Sequence, residues 1–128
     1  MKVKRIMKSM LVIACVICLS FRSVSPALAK TWRFGKETYG GGNETSPYRV
    51  TATTWSNTTA VLRAEVYELV GAVDLYQPWV SWPRTSKTVT GNNVSTTEFA
   101  PSNVLLINST TRHYFNSMMN EIKEFATY

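Results

Sequence analysis

The chain has little with which to do redox or metal chemistry. It holds two cysteines, Cys15 and Cys18, and one histidine, His113. Both cysteines fall inside an apolar stretch near the amino terminus, where Cys-x-x-Cys is better read as two small hydrophobes than as a redox motif. A zinc site needs three or four His, Cys or carboxylate ligands, and one histidine among scattered acids does not supply them. A Ser-His-Asp triad can be drawn from His113 and Asp74, but no serine sits in a glycine-flanked nucleophile elbow. The glycine run Gly40-Gly41-Gly42-Asn43 is not followed by Lys-Ser/Thr and has no apolar strand before it, which excludes the Walker and Rossmann readings. The carboxylate pairs Glu65/Glu68 and Glu121/Glu124 read as solvated faces rather than as the paired acids of a glycosidase. These absences point to a protein that is not an enzyme and uses no cofactor or metal.

Long hydrophobic runs are also lacking. The longest, over residues 10–21, is interrupted by Ser20 and is about a dozen residues, whereas a membrane span needs ~20. Lys2, Lys4, Arg5 and Lys8 precede it, and the small-residue site Ala27-Leu28-Ala29 follows. A positive start, a short apolar core and a small-residue cleavage site define a secretory signal peptide over 1–29, cut between Ala29 and Lys30. Its Lys-rich start suits a bacterial secreted protein. Val12-Ile13-Ala14-Cys15 resembles a lipoprotein processing site, but it lies inside the apolar run rather than at its end, so plain secretion is the expectation. The expected product is extracellular, with no stable membrane span.

Charge of one sign disappears with the leader. Of 14 basic residues, five (Lys2, Lys4, Arg5, Lys8, Arg22) precede Lys30, and none of the eight acids does. Nine basic and eight acidic groups remain, a net of about +1, so no basic patch argues for nucleic acid. The 99 residues from Lys30 onward suit one domain, which without a disulfide must rest on a packed core.

What is present is a β pattern. Tyr48, Val50 and Ala52 alternate with Arg49, Thr51 and Thr53, and Ala60, Leu62, Ala64 and Val66 alternate with Arg63 and Glu65. With Ser56-Asn57 between them, the two runs predict a half-buried β-hairpin over 48–70. Residues 87–90 and 94–98 flank Gly91-Asn92-Asn93 and predict a second hairpin. A short strand over 103–107 and a turn at Asn108-Ser109-Thr110 follow. Tyr114, Phe115, Met118, Met119, Ile122 and Phe125 have helical spacing and predict a short amphipathic C-terminal helix over 117–126. The fold expected is all-β, a small antiparallel sandwich or barrel with that helix. The alternative is an α+β domain with 58–73 helical, since Leu62, Val66, Leu69, Val70 and Val73 also fit a helix face. Residues 30–47 are expected to be a flexible Gly-rich segment with an edge strand at its start, and 48–128 a single β-rich domain. His113 is expected at a strand end, partly exposed. The four Asn-x-Ser/Thr sequons, at Asn43, Asn57, Asn93 and Asn108, are read as turn signals.

The aromatic stretch 74–83 carries the functional expectation. Tyr76, Trp79 and Trp82 lie among Pro78 and Pro83, which forbid a central strand. Flat rings on a stiff loop suit sugars, apolar peptides or interfacial lipid. The chain therefore reads as a small secreted, non-enzymatic β-domain that binds at the cell envelope or extracellular surface. Cell-wall or surface carbohydrate, or another envelope component, is the expected partner. A secreted antimicrobial of bacteriocin or toxin type is the alternative.

Overall fold

The computed structural model describes residues 28–74 and 77–126, and every regular element among them is a strand. In chain order these are β1 (Leu28–Phe34), β2 (Glu37–Thr45), β3 (Arg49–Ala72), β4 (Pro78–Ser81), β5 (Thr85–Phe99), β6 (Leu105–Phe115) and β7 (Met118–Phe125). All pairings are antiparallel. The signal-peptide expectation over 1–29 falls almost wholly outside the described residues.

β3 organises the sheet. One of its edges pairs with β2 through residues 50–56 and with β6 through 62–72. The opposite edge pairs with β5 through 49–66 and with β4 through 69–72. Twenty-four residues of straight strand would run ~80 Å, and β3 does not run straight. Thr54 Oγ1 donates to the Arg63 carbonyl at 3.0 Å although nine residues separate them. In β5 the Thr85 hydroxyl likewise donates to the Glu98 carboxylate. Both strands therefore fold over sharply where their mutual register shifts, between Trp55 and Ala60. The fold carries each of them from one layer to the other and brings β2 against β6 and β7. The result is an antiparallel sheet nearly closed into a barrel, in agreement with the all-β sandwich or barrel expected.

The turn chemistry is where the sequence reading departs from the structure. Ser56-Asn57 does not reverse the chain into a hairpin. It bends β3, because each arm finds its backbone partners in β2, β5 and β6 rather than in the other arm. Asn57 clips the bend to the β1–β2 hairpin, accepting from the Thr38 amide at 2.8 Å and donating to the Lys36 carbonyl at 3.0 Å. Gly91-Asn92-Asn93 is the matching bend in β5, tied by Asn92 Nδ2 to the Ser56 carbonyl at 3.4 Å. The reversals are shorter. Gly35, with φ +63°, opens the two-residue turn between β1 and β2, and Asn116-Ser117, both at positive φ, close the one between β6 and β7.

Three further expectations are corrected. Residues 117–126 are not a helix. Backbone pairing with β6 is available to 118–125, and period 2 puts Ile122 and Glu124 inside while Met119 and Phe125 face water. Residues 58–73 are strand, which removes the helical alternative. The segment 30–47 is no loose loop: β1 and β2 occupy most of it, and Gly40, Gly41 and Gly42 are buried mid-strand. Each glycine admits a ring. A Cβ on Gly40 would overlap the Trp55 indole on the outer face, and one on Gly41 would overlap the His113 ring inside. All four sequon asparagines lie within strands rather than turns, Asn57 and Asn93 at the bends of β3 and β5.

The core follows the alternation. Val50, Ala52, Leu62, Ala64 and Val66 are all buried in one cluster with Leu69, Leu106 and Phe115. One end of the interior is a run of stacked rings. Trp32 and Tyr39 lie 5.0 Å apart, Tyr39 and Phe115 4.9 Å, and Phe34 caps them at 5.9 Å from Tyr39. Such pairs add to the area they bury because offset rings avoid face-to-face quadrupole repulsion.

Candidate functional site

The interior beyond the rings is polar. Asn43, Thr45, Thr54, Ser109, Thr111 and His113 point inward from β2, β3 and β6, and all are buried. A buried polar group without a partner costs 1–3 kcal/mol, so their hydrogen bonds decide whether this core is tolerable. Asn43 Oδ1 lies 3.1 Å from both Thr45 Oγ1 and Ser109 Oγ, and Asn43 Nδ2 donates to the Ile122 carbonyl at 3.4 Å. His113 is held on both sides. Its Nδ1 is 2.9 Å from Thr54 Oγ1, and its Nε2 is 2.9 Å from Thr111 Oγ1.

Donor accounting assigns the tautomer. The Thr54 hydroxyl already donates to the Arg63 carbonyl, so Thr54 Oγ1 accepts from His113 Nδ1–H, and Nε2 accepts from the Thr111 hydroxyl. Burial drives the His113 pKa down to about 4, against a smaller opposing pull from the Thr53 carbonyl. The expectation of a partly exposed His113 at a strand end is thus corrected. It is a neutral core residue with both nitrogens engaged, and it presents no free base to a substrate. The arrangement joins β2, β3, β6 and β7 and orders the interior.

The outer face carries a different assembly, built from the residues that alternate with the core. β3 turns Arg63 and Glu65 outward. β6 sets Tyr114 opposite Arg63 and Arg112 opposite Glu65, and β7 adds Glu121 opposite Arg112. The Arg63 guanidinium lies 4.7 Å from the centre of the Tyr114 ring and donates to Glu65 Oε1 at 3.2 Å. The Tyr114 hydroxyl donates to Glu65 Oε2 at 3.1 Å. Glu65 is only 4% exposed although it sits on the outer face, because these two side chains cover it. Burial, then the Glu65 carboxylate, push the Tyr114 phenol above its ordinary pKa, so it stays a donor at neutral pH. One row along, Arg112 stacks on Tyr67 at 3.4 Å and pairs with Glu121 at 2.6 Å, and the Arg84 guanidinium lies 5.6 Å from the centre of the Tyr67 ring. Tyr67 continues the outward alternation of Arg63 and Glu65, at the point where the register of β3 against β6 shifts between Val66 and Glu68.

Val61, Arg63, Thr88, Tyr114 and Ser117 line an open depression of about 320 Å³ on this face. That is the lower end of the range for small-molecule sites, ~300–1,000 Å³. The Arg63 Nε on its wall is buried and meets no acceptor among the described residues. The depression thus offers a planar cation, the Thr88 side chain and a fixed aromatic ring, while Arg63 Nε itself is shielded from it. Its charge is balanced locally by Glu65.

The three residues singled out in the sequence are not gathered there. Tyr76 lies outside the described residues. Trp79, on β4, is half-buried and packs against the core beside Gly71 of β3. Trp82 is 56% exposed just past the end of β4, its Nε1 donating to Glu68 Oε2 at 2.9 Å. Arg63, Tyr114, Thr88 and Tyr67 are the residues that sequence reasoning passed over as a site. The alternation did place Arg63 and Glu65 on one outward face, but their partners come from a segment read as a turn followed by a helix. Comparison of the chain with protein-family models, curated proteins and solved structures finds no match.

Proposed function

We propose that this chain is a secreted, non-enzymatic binding domain that recognises hydroxyl-rich carbohydrate of the cell wall or cell surface on its outer face. One observation carries the reading: an open depression that sets the Arg63 guanidinium, the Tyr114 ring and Thr88 side by side. A sugar hydroxyl can meet the Thr88 side chain, and the apolar side of the sugar can lie against the Tyr114 ring. The fixed rings and the stacked guanidinium supply flat, rigid area that loses little entropy on binding. Pairing of Arg63 with Glu65 removes the local excess of positive charge that a phosphate polymer would exploit. Trp82, the exposed ring of the 74–83 stretch, extends the same mode of recognition at the far end of β3.

Calorimetric titration of the purified chain with solubilised cell-wall polysaccharide tests this. Arg63→Ala and Tyr114→Ala should each weaken binding by about tenfold or more, the ordinary consequence of losing a stacked guanidinium or an aromatic anchor. Trp82→Ala tests the second ring separately. Binding that survives Arg63→Ala and Tyr114→Ala in folded protein, or no binding by the unaltered chain, would overturn the assignment of the site.

A further inference from the structure

β5 is an edge strand. It pairs with β3 along one side, and among the described residues no strand pairs with the other. An unpaired edge of this length is a template for another strand, and proteins guard such edges with inward-pointing charge. Lys87 is that charge. It is paired with Ala64 of β3, whose side chain is fully buried, so Lys87 stands on the inner face at the open edge of the sheet. Glu98, opposite the buried Val50, stands on the same inner face at the other end of β5. Within its own chain the Glu98 carboxylate accepts from the Thr85 hydroxyl, a neutral donor. An incoming strand that brings a carboxylate to Lys87 and a cation to Glu98 would match both charges.

We infer that the strand these two residues admit is β5 of a second copy of this chain, running antiparallel, with Lys87 opposite the copy's Glu98 and Glu98 opposite the copy's Lys87. The facing of side chains along β5 selects this register. In the first arm the inner residues are odd-numbered: Lys87 and Val89 lie opposite the buried Ala64 and Leu62. In the second arm they are even-numbered: Val94 and Glu98 lie opposite the buried Thr54 and Val50. The change of parity occurs at the bend, where Asn92 and Asn93 are both exposed. An antiparallel copy keeps inner residues opposite inner residues only when the two positions in each pair add to an odd number. The pairing of Lys87 with Glu98 meets that condition. It also sets Thr88 against Thr97, Val89 against Thr96 and Gly91 against Val94, so that faces match throughout. A register one residue away would turn inner positions of one copy against outer positions of the other. The twofold axis then passes between Asn92 and Asn93, and the bent arms of the two copies lie along each other. The dimer would continue both layers from one molecule into the next.

The inference is independent of the carbohydrate reading, because it uses the edge of β5 and not the outer depression. Sedimentation velocity of the purified full chain over a range of concentrations tests it. The unaltered chain should form a dimer. Lys87→Glu and Glu98→Lys should each remain folded by circular dichroism and raise the dimer dissociation constant about tenfold or more, since each sets like charges opposite at two places. An equimolar mixture of the two variants should recover the dimer, one copy of each, because both contacts then join opposite charges. Association through the apolar residues 10–21 would not respond to these charges. A chain that stays monomeric throughout, or variants that dimerise as tightly alone as mixed, would overturn the inference.

Discussion

His113 shows how a single side chain couples this fold to its surroundings. In the unfolded chain its pKa is near 6.5, and in the folded protein burial holds it at about 4. Between those values the unfolded state carries a proton that the folded state refuses, so acid favours unfolding. The stabilising contribution is complete above pH 6.5 and is lost progressively as pH falls towards 4, with no further loss below. Its full size is roughly 3 kcal/mol at 1.36 kcal/mol per pKa unit. Urea unfolding at pH 7.5 and pH 4.5 should therefore show the protein weakened in acid by about 2–3 kcal/mol beyond the change seen in His113→Gln. That variant is weaker at neutral pH because Thr54 and Thr111 lose their ring partners, but it has no imidazole to protonate. Equal acid sensitivity in the two proteins would mean that His113 is hydrated or charged in the native state.

At the level of single strands, the alternation at 50–54 and 60–66 was legible because period 2 is a local signal that burial on one face imposes. Val50, Ala52, Leu62 and Val66 lie where it puts them. Turn residues were legible as irregularities and not as directions. Ser56-Asn57 and Gly91-Asn92-Asn93 bend strands between layers, while Asn116-Ser117, read as the start of a helix, is the true reversal. The difference depends on which strands supply backbone partners on either side, and that is fixed by residues distant in sequence. The β6–β7 turn also carries a testable cost. Asn116 fits it well, since its backbone amide donates to the Val61 carbonyl at 2.9 Å and its Oδ1 accepts from the Val61 amide at 3.1 Å. Ser117, at φ +77°, has no such compensation for a left-handed conformation that penalises any Cβ. Ser117→Gly should stabilise the protein by about 1 kcal/mol, and Ser117→Val should destabilise it by at least as much. Chemical denaturation of the three proteins measures both. A destabilised Ser117→Gly would show that the hydroxyl contributes more than the backbone strain removes.

For the molecule as a whole, the outer depression was hidden from the sequence for the same reason as the turns. Arg63 and Val61 come from β3, Thr88 from β5 and Tyr114 from β6, and nothing local announces that these strands lie side by side. The connectivity that assembles the depression also predicts how the protein unfolds. β3 and β5 each run through both layers, so neither layer can separate without breaking pairs made by a strand the other layer needs. The polar contacts from β2 to β6 and β7 close the remaining side. Unfolding should then be a single all-or-none transition. The tryptophans allow a strict test, because Trp55 lies over Gly40 in the layer built on β2, whereas Trp79 sits on β4 at the opposite end of β3. Replacing Trp55 or Trp79 by Phe weights the fluorescence signal towards the other end in turn. In each variant the urea midpoint read by fluorescence should coincide with the one read by far-ultraviolet circular dichroism, even if the two variants differ in stability. A fluorescence transition that runs ahead of the dichroism in one variant would show that its end of β3 melts alone. The bends at Ser56-Asn57 and Asn92-Asn93 would then act as hinges between separable layers rather than as corners of one sheet.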